Sequence, residues 1–364
     1  MMIGAKRPRD SLGTAPCGRL TDAQRARGLV RALGLISGGL DSLLAVRLLM
    51  AQGFRPALVT FVSPFFAPDK ARRAAEALGL SLTLLEIYED LLPLVKNPPH
   101  GLGRNLNPCV DCHALMFRKA RELLEAAGRP GFLFSGEVLG QRPMSQNPRA
   151  MQIVARGSGS PDFVLRPLSA RLLQPTEAET LGWVDRERLL GLSGRSRRAQ
   201  LDLAAGFGLP IPTPAGGCLL TDPAFSRRFR WLMDRPEGRG DPAWPPVRLA
   251  EIIKHGRLFA DESGAWLVVG RNQADNLRLA ELARPGDLVC QLEDAPGPLT
   301  LGPGPAPPSP ETRALARSLT AAYGDHGGTA EALVRVEIQG GPASLEKTAV
   351  TPPDAWAARR RPEP

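Results

Sequence analysis

The chain reads as an α/β protein, a parallel sheet with helices on both faces, followed by a smaller C-terminal α+β domain. Three observations carry this reading. Between residues 29 and 232, short apolar runs alternate with runs of helical spacing, the pattern of strands joined by crossover helices. A glycine-serine loop, Ser37-Gly38-Gly39-Leu40-Asp41-Ser42, separates the first strand from the first helix. Stretches rich in proline and glycine, at 234–246 and 297–310, then break the alternation.

Taken in order, Ala32–Ile36, Ala57–Val62, Leu82–Ile87 and Gly131–Ser135 are apolar enough for buried strands, and Leu43–Gln52, Asp69–Leu78 and Ala114–Ala127 have helical spacing. Open α/β sheets bind ligands at the carboxyl ends of their strands. That rule gathers Ser37–Ser42, Ser63, Gly136 and Glu137 at one edge. The expected organisation is a disordered basic extension over 1–28, the main domain over 29–233 and a linker over 234–246. A small α+β domain over 247–350 and a flexible tail over 351–364 follow.

Composition narrows the function classes. No run of 18 apolar residues occurs, so no membrane span is expected. The N-terminal stretch lacks the apolar centre of a signal peptide, and a cytosolic location is expected. Five cysteines, an odd number, do not suggest a disulfide framework. The net charge of +9 suits a polyanionic partner. Arg186, Arg188, Arg195, Arg197 and Arg198 form one basic group and Arg227, Arg228 and Arg230 another. Each is either a solvated surface or a phosphate contact.

A strand, a glycine-serine loop and a helix start make a phosphate-binding device. Glycines let the backbone approach an anion, and the first N–H groups of the helix lack intrahelical partners. Ser37 and Ser42 can donate to phosphate oxygens. Asp41 beside phosphates calls for a bridging cation, naturally Mg2+. The spacing is not that of the Walker loop.

Asn107-Pro108-Cys109-Val110-Asp111-Cys112-His113 and Pro214-Ala215-Gly216-Gly217-Cys218 supply three sulfurs. Four arrangements follow from them: a [4Fe–4S] cluster on Cys109, Cys112 and Cys218 with one open iron; a persulfide on one cysteine resolved by another; structural zinc with His113 or Cys290 as fourth ligand; or a haem on the Cys-x-x-Cys-His pattern, which normally requires export. Cys17 and Cys290 read as inert thiols.

Ser37–Ser42 resembles the PP-loop of ATP pyrophosphatases, which cut ATP between its α- and β-phosphates and adenylate a substrate. Asn107–Cys112 and Cys218 are similar to the cysteine segments of bacterial tRNA 2-thiouridylases, although those enzymes usually carry Asp at the position of Cys109. Ser135-Gly136-Glu137-Val138-Leu139-Gly140-Gln141 with Ser145-Gln146 resembles a segment of tRNA 4-thiouridine synthetases. The Cys-x-x-Cys plus one distant Cys is similar to the cluster ligands of tRNA 2-thiocytidine synthetases. Val268–Asn272 with Asn276-Leu277 is similar to an RNA-binding module of ribosome quality-control factors.

The resemblance implies ATP-dependent tRNA thiolation. ATP and Mg2+ would bind over Ser37, Gly38, Gly39, Asp41 and Ser42, with Ser63, Gly136 and Gln141 at the adenine side. Cys109, Cys112 and Cys218 would deliver sulfur from a donor such as sulfide, a desulfurase or a sulfur carrier. Glu137 is a metal or proton partner or a structural carboxylate. Arg195, Arg197, Arg198, Arg227 and Arg228 would hold tRNA phosphates. Two alternatives remain: a PP-loop synthetase acting on a small molecule, its cysteines binding zinc, and a non-catalytic RNA-binding protein on a nucleotide fold.

Overall fold

The computed structural model describes Thr21, Arg25 and residues 28–159, 162–211, 217–304, 307–325 and 327–362. The basic extension, with Cys17, falls almost wholly outside the described residues. Pro214, Ala215 and Gly216 also lie outside them. The chain divides into two compact units, 1–221 and 222–364.

In the first unit, β1 (Arg31–Leu35) leads through the glycine-serine loop into α1 (Leu40–Met50). β2 (Ala57–Val62), α2 (Asp69–Leu78), β3 (Leu82–Glu86) and α3 (Tyr88–Lys96) follow. Then come α4 (Cys109–Ala126), β4 (Gly131–Ser135), α5 (Pro148–Gly157) and the short β5 (Val164–Leu165). The four-residue α6 (Glu177–Thr180) and α7 (Arg198–Gly206) complete the unit.

The strands form one parallel sheet in the order β3-β2-β1-β4-β5. Strands buried on both faces read as continuous apolar runs, and every residue of β4 is buried. α1 is apolar nearly all round because it is enclosed, with Leu40, Leu43, Leu44, Val46, Leu48 and Leu49 all buried. The strand order reverses between β1 and β4, the position at which doubly wound sheets open a crevice. Leu35 pairs with Ser135, so the loops leaving these two strands emerge side by side.

The second unit starts with α8 (Pro223–Met233) and α9 (Val247–Ile252). It continues through β6 (Arg257–Ala260), β7 (Trp266–Val269), α10 (Gln273–Leu282), β8 (Leu288–Leu292) and β9 (Thr300–Gly302). It ends with α11 (Pro310–Ala322), β10 (Glu331–Ile338) and β11 (Ala343–Ala349). Its sheet is antiparallel in the order β11-β10-β8-β9-β7-β6.

Two expectations about boundaries are corrected. The division falls at Thr221/Asp222 and not in 234–246. The proline-rich stretch 234–246 is folded into the second unit: Trp244 Nε1 donates to the Leu232 carbonyl at 2.9 Å, and Arg235 lies 4.9 Å above the Trp231 ring. The expected tail also carries structure. Pro353–Arg359 is a 3-10 helix, Trp356 packs on the second core, and Arg361 N donates to Leu258 O. Aromatic anchors override composition in both places. Among the described residues no helix is long and apolar enough to cross a membrane.

Candidate active site

The glycine-serine loop lies in the β1/β4 crevice. Gly38 has φ +73°, and a Cβ there would stand 2.4 Å from the Lys70 backbone. Only glycine fits that left-handed, crowded position. Ser42 Oγ donates to Gly39 O at 2.8 Å and fixes the turn, while Ser37 stays exposed. Asp41 sits in the first turn of α1.

The segment after β4 closes onto this loop. A Cβ on Gly136 would stand 2.4 Å from Ser42 N and 2.5 Å from the Asp41 backbone, so the absence of a side chain permits the contact. Gln141 Nε2 donates to Asp41 Oδ2 at 3.0 Å. Asp41 Oδ1 and Gln141 Oε1 are buried without a hydrogen-bond partner. Buried polar atoms left open in this way ask for a ligand, ion or water. Ser63 Oγ accepts from Phe65 N at 3.1 Å and shapes the turn after β2.

The same segment reaches the cysteines through Glu137. Burial opposes its ionisation, but Arg166 and His113 beside it pull its pKa down to about 2. Arg166 Nε donates to Glu137 Oε2 at 2.9 Å, Ser135 Oγ donates to the same oxygen at 3.2 Å, and His113 Nδ1 lies 3.0 Å from Oε1. His113 also hydrogen-bonds Cys109. Burial works against the imidazolium, yet these two partners raise its pKa to about 10. Burial likewise opposes the Cys109 thiolate, but His113, Ser145 and Arg142 outweigh it and lower that pKa. Cys109, His113 and Glu137 thus form a thiol–imidazole–carboxylate row that favours the Cys109 thiolate, the arrangement of an activated sulfur nucleophile.

The other two thiols behave oppositely. Burial, with Cys218, Cys109 and Asp111 nearby, pushes Cys112 well above the usual thiol value. Burial and the Cys109 charge push Cys218 up to about 12. Cys218 arrives through backbone stitches: Leu219 N donates to Phe65 O at 2.9 Å, and Leu106 N to Leu220 O at 3.1 Å. Asp111, between the paired cysteines, accepts from His100 N and lies 2.6 Å from His100 Nδ1, which ties the preceding loop to the start of α4.

The pair Cys109 and Cys112 lies in the first turn of α4, which begins five residues before the helix expected from Ala114. That start places His113 one turn after Cys109 on the same helix face. Helical spacing thus held the signal for His113 as a thiol partner. Arg166, which follows the two-residue β5, left no signal in sequence.

The basic residues separate by role. Gly194 N donates to Leu139 O at 2.7 Å, so the loop carrying Arg195, Arg197 and Arg198 departs from the segment that closes the site. Arg195 and Arg198 are exposed. Arg186 is held by Glu179 at 2.5 Å and by Leu173 O at 2.9 Å. Arg227 is exposed on α8 of the second unit, and Arg228 donates to Gly256 O at 2.9 Å.

Comparison with known proteins bears on both units. Residues 29–171 match the family model of the thiamine biosynthesis protein ThiI, and residues 256–356 match that of the NFACT protein RNA-binding domain. The tRNA-specific 2-thiouridylase MnmA of Syntrophotalea carbinolica is 35% identical over 105 residues, 25% of this chain and 29% of that protein. The chain therefore spans under a third of that relative's length. Among solved structures, the C-terminal part of a fibronectin/fibrinogen-binding protein from Streptococcus suis is 19% identical over 29% of this chain and 50% of its own, with a TM-score of 0.26. NMN synthetase from Francisella tularensis is 13% identical over 54% of this chain and 100% of its own, with a TM-score of 0.25. The matched sequence at 29–171, with the loop at 37–42 and the parallel sheet that presents it, makes the first unit similar to ThiI and to the tRNA-specific 2-thiouridylase.

Proposed function

We propose that the chain thiolates tRNA in an ATP-dependent reaction. One observation carries this reading: the segment 135–141 touches the phosphate loop through Gly136 and Gln141 and holds the Cys109–His113 pair through Glu137. Activated oxygen and incoming sulfur must meet at one carbon, so the two devices have to be adjacent.

ATP phosphates would lie over Ser37, Gly38, Gly39 and Ser42. The open oxygens of Asp41 and Gln141 suit a hard cation such as Mg2+, which would neutralise phosphate charge when bound. The target carbonyl oxygen of a tRNA base attacks the α-phosphorus, and pyrophosphate leaves. The Cys109 thiolate attacks the outer sulfur of a persulfide donor, whose thiolate leaves, and presents a persulfide whose terminal sulfur attacks the adenylated carbon. AMP departs with the oxygen. Cys112 or Cys218 then attacks Cys109 Sγ, which forms a protein disulfide and releases the thiocarbonyl base. A two-electron thiol reductant restores the cysteines.

Cys109, Cys112 and Cys218 act on one another electrostatically and so share one place; three thiolates there could hold a [4Fe–4S] cluster with one open iron, the alternative to the persulfide route. No step is routed through iron or zinc. Arg195, Arg197 and Arg198 in the first unit, and Arg227 and Arg228 in the second, supply phosphate contacts.

The test is an incubation of the purified protein with ATP, Mg2+, bulk tRNA and a persulfide donor, following pyrophosphate and the tRNA nucleosides by mass spectrometry. Cys109→Ser should still release pyrophosphate but make no thionucleoside, and Asp41→Asn should do neither. Unchanged tRNA nucleosides with the intact protein would overturn the reading in favour of a small-molecule substrate.

A further inference from the structure

The match of residues 256–356 to an RNA-binding domain does not say where on that domain a nucleotide sits. We infer that a cleft in the second unit, between the turn from β7 into α10 and the turns at 296–298 and 323–325, holds one unstacked nucleotide of single-stranded RNA. The inference rests on the RNA reading of this unit and gives it a location.

The cleft measures about 590 Å3. That lies in the range of roughly 300–1,000 Å3 typical of small-ligand pockets. It contains a stacking platform. The Arg257 guanidinium lies 4.5 Å above the Tyr323 ring centroid, and Tyr323 in turn rests on Phe259 at 6.1 Å. A planar cation fixed on an aromatic ring presents its outer face to a base, and stacking of this kind recognises unpaired nucleotides.

Beside the platform stand two amides. Asn272 Oδ1 is used in capping α10 through Asp275 N at 2.9 Å, which leaves its Nδ2 to donate. Gln273 is exposed at the first position of α10 and carries both a donor and an acceptor. Together they can address the edge of a stacked base.

The charge balance calls for a phosphate. Arg257 and Arg271 line the cleft against a single carboxylate, Asp325. Arg271 is paired with Asp275 at 2.7 Å. Behind it Arg228 donates to Gly256 O, and burial together with nearby Arg271 and Arg360 lowers its pKa. Two guanidiniums against one carboxylate leave the cleft lining positive, which suits a phosphate beside the stacked base.

The experiment uses the full chain and a fluorescein-labelled ten-residue oligoribonucleotide in an anisotropy titration. Arg257→Lys keeps the charge but loses the plane, and Gln273→Ala removes an exposed amide without touching the core. Each should weaken binding, Arg257→Lys by roughly 5- to 100-fold, the range that loss of one base stack produces. Arg278→Gln, a charge removed from the exposed side chain paired with Glu281, should change affinity by less than about threefold, as expected of a surface pair. Equal affinity in all four proteins would overturn the subsite while leaving RNA binding by the unit intact. No binding of the oligonucleotide or of tRNA by the unsubstituted protein would overturn the RNA reading itself.

Discussion

His113 stands between Cys109 and Glu137: its Nδ1 lies 3.0 Å from Glu137 Oε1, and the same ring hydrogen-bonds the Cys109 thiol. The three thiols of one site are thereby made chemically unequal. Cys109 is pulled below the ordinary thiol value, Cys112 is pushed well above it, and Cys218 is pushed to about 12. Reaction rate follows the thiolate fraction, so brief alkylation with iodoacetamide at pH 7.5 should label Cys109 ahead of the other two. In Glu137→Gln the imidazolium loses its carboxylate, and the half-point of Cys109 labelling should move to higher pH. Peptide mass spectrometry across a pH series reads both effects. Equal labelling of the three cysteines would contradict the arrangement.

The same row makes stability depend on pH in a defined direction. The His113 pKa rises on folding from 6.5 to about 10, so its contribution is complete below pH 6.5 and is lost as pH climbs through 10. Glu137 falls from 4.5 to about 2, so its contribution is complete above pH 4.5 and is lost as pH falls through 2. The melting-temperature gap between the protein and His113→Gln should be widest near pH 5–6, correspond to about 1.5–3 kcal/mol, and close toward pH 10. Glu137→Gln strands the buried Arg166 and should cost more, about 3–5 kcal/mol. Melting curves at pH 5.5, 7.5 and 9.5 separate the two variants.

Much of this site was legible in the chain because its devices are local. The phosphate loop occupies six consecutive residues, and the strands flanking it are continuous apolar runs, so the loop and the gathering of Gly136 and Glu137 at the same sheet edge follow from spacing, whereas the hydrogen bond of Gln141 to Asp41 does not, Gln141 being expected at the adenine side. Cys109, Cys112 and Cys218 were legible as a group by residue type. The i,i+4 spacing of Cys109 and His113 carried a signal only once the helix is known to start at Cys109, and the further link to Glu137, on a separate loop, left none. Arg166 comes from a strand of two residues, too short to leave a pattern. The boundaries misled for a related reason: proline-rich composition does not register single aromatic anchors such as Trp244 and Trp356.

Gln141 holds Asp41 by a 3.0 Å hydrogen bond, and the other oxygen of each side chain is left open. Losing a residue that orients a metal ligand typically lowers metal affinity 10- to 100-fold. Gln141→Ala should therefore raise the Mg2+ concentration needed for half-maximal pyrophosphate release by about that factor, with the rate largely recovered at saturating Mg2+. Asp41→Asn should lose on the order of 100-fold or more in kcat without recovery. A Mg2+ titration of pyrophosphate release at fixed ATP distinguishes the two. An unchanged Mg2+ requirement in Gln141→Ala would remove Gln141 from the site.

Gly136 is a close-approach glycine. An added Cβ would stand 2.4 Å from Ser42 N, against backbone that has no freedom to rotate away. Gly136→Ala should separate the segment 135–141 from the phosphate loop and destabilise the first unit by about 1–3 kcal/mol, the usual range for overpacking. ATP should no longer raise the melting temperature. Gly206→Ala, where nothing lies within 4 Å of the new methyl, should leave the response to ATP intact. Thermal melts with and without 5-adenylyl imidodiphosphate make the comparison.

The loop bearing Arg195, Arg197 and Arg198 is pinned by Gly194 to Leu139, inside the segment that closes the site. Phosphates held there would bring a nucleotide near the cysteines. Arg186, by contrast, is occupied by Glu179 and Leu173 O. Neutralising exposed phosphate contacts weakens binding uniformly and lowers the slope of log affinity against log salt by about one per contact. The double variant Arg195→Gln/Arg198→Gln should therefore bind tRNA more weakly, with a slope reduced by about two. Arg186→Gln should lose stability instead and leave the slope unchanged. Filter binding of tRNA between 50 and 300 mM KCl measures the slopes, and an identical slope in the double variant would assign those arginines to the solvated surface.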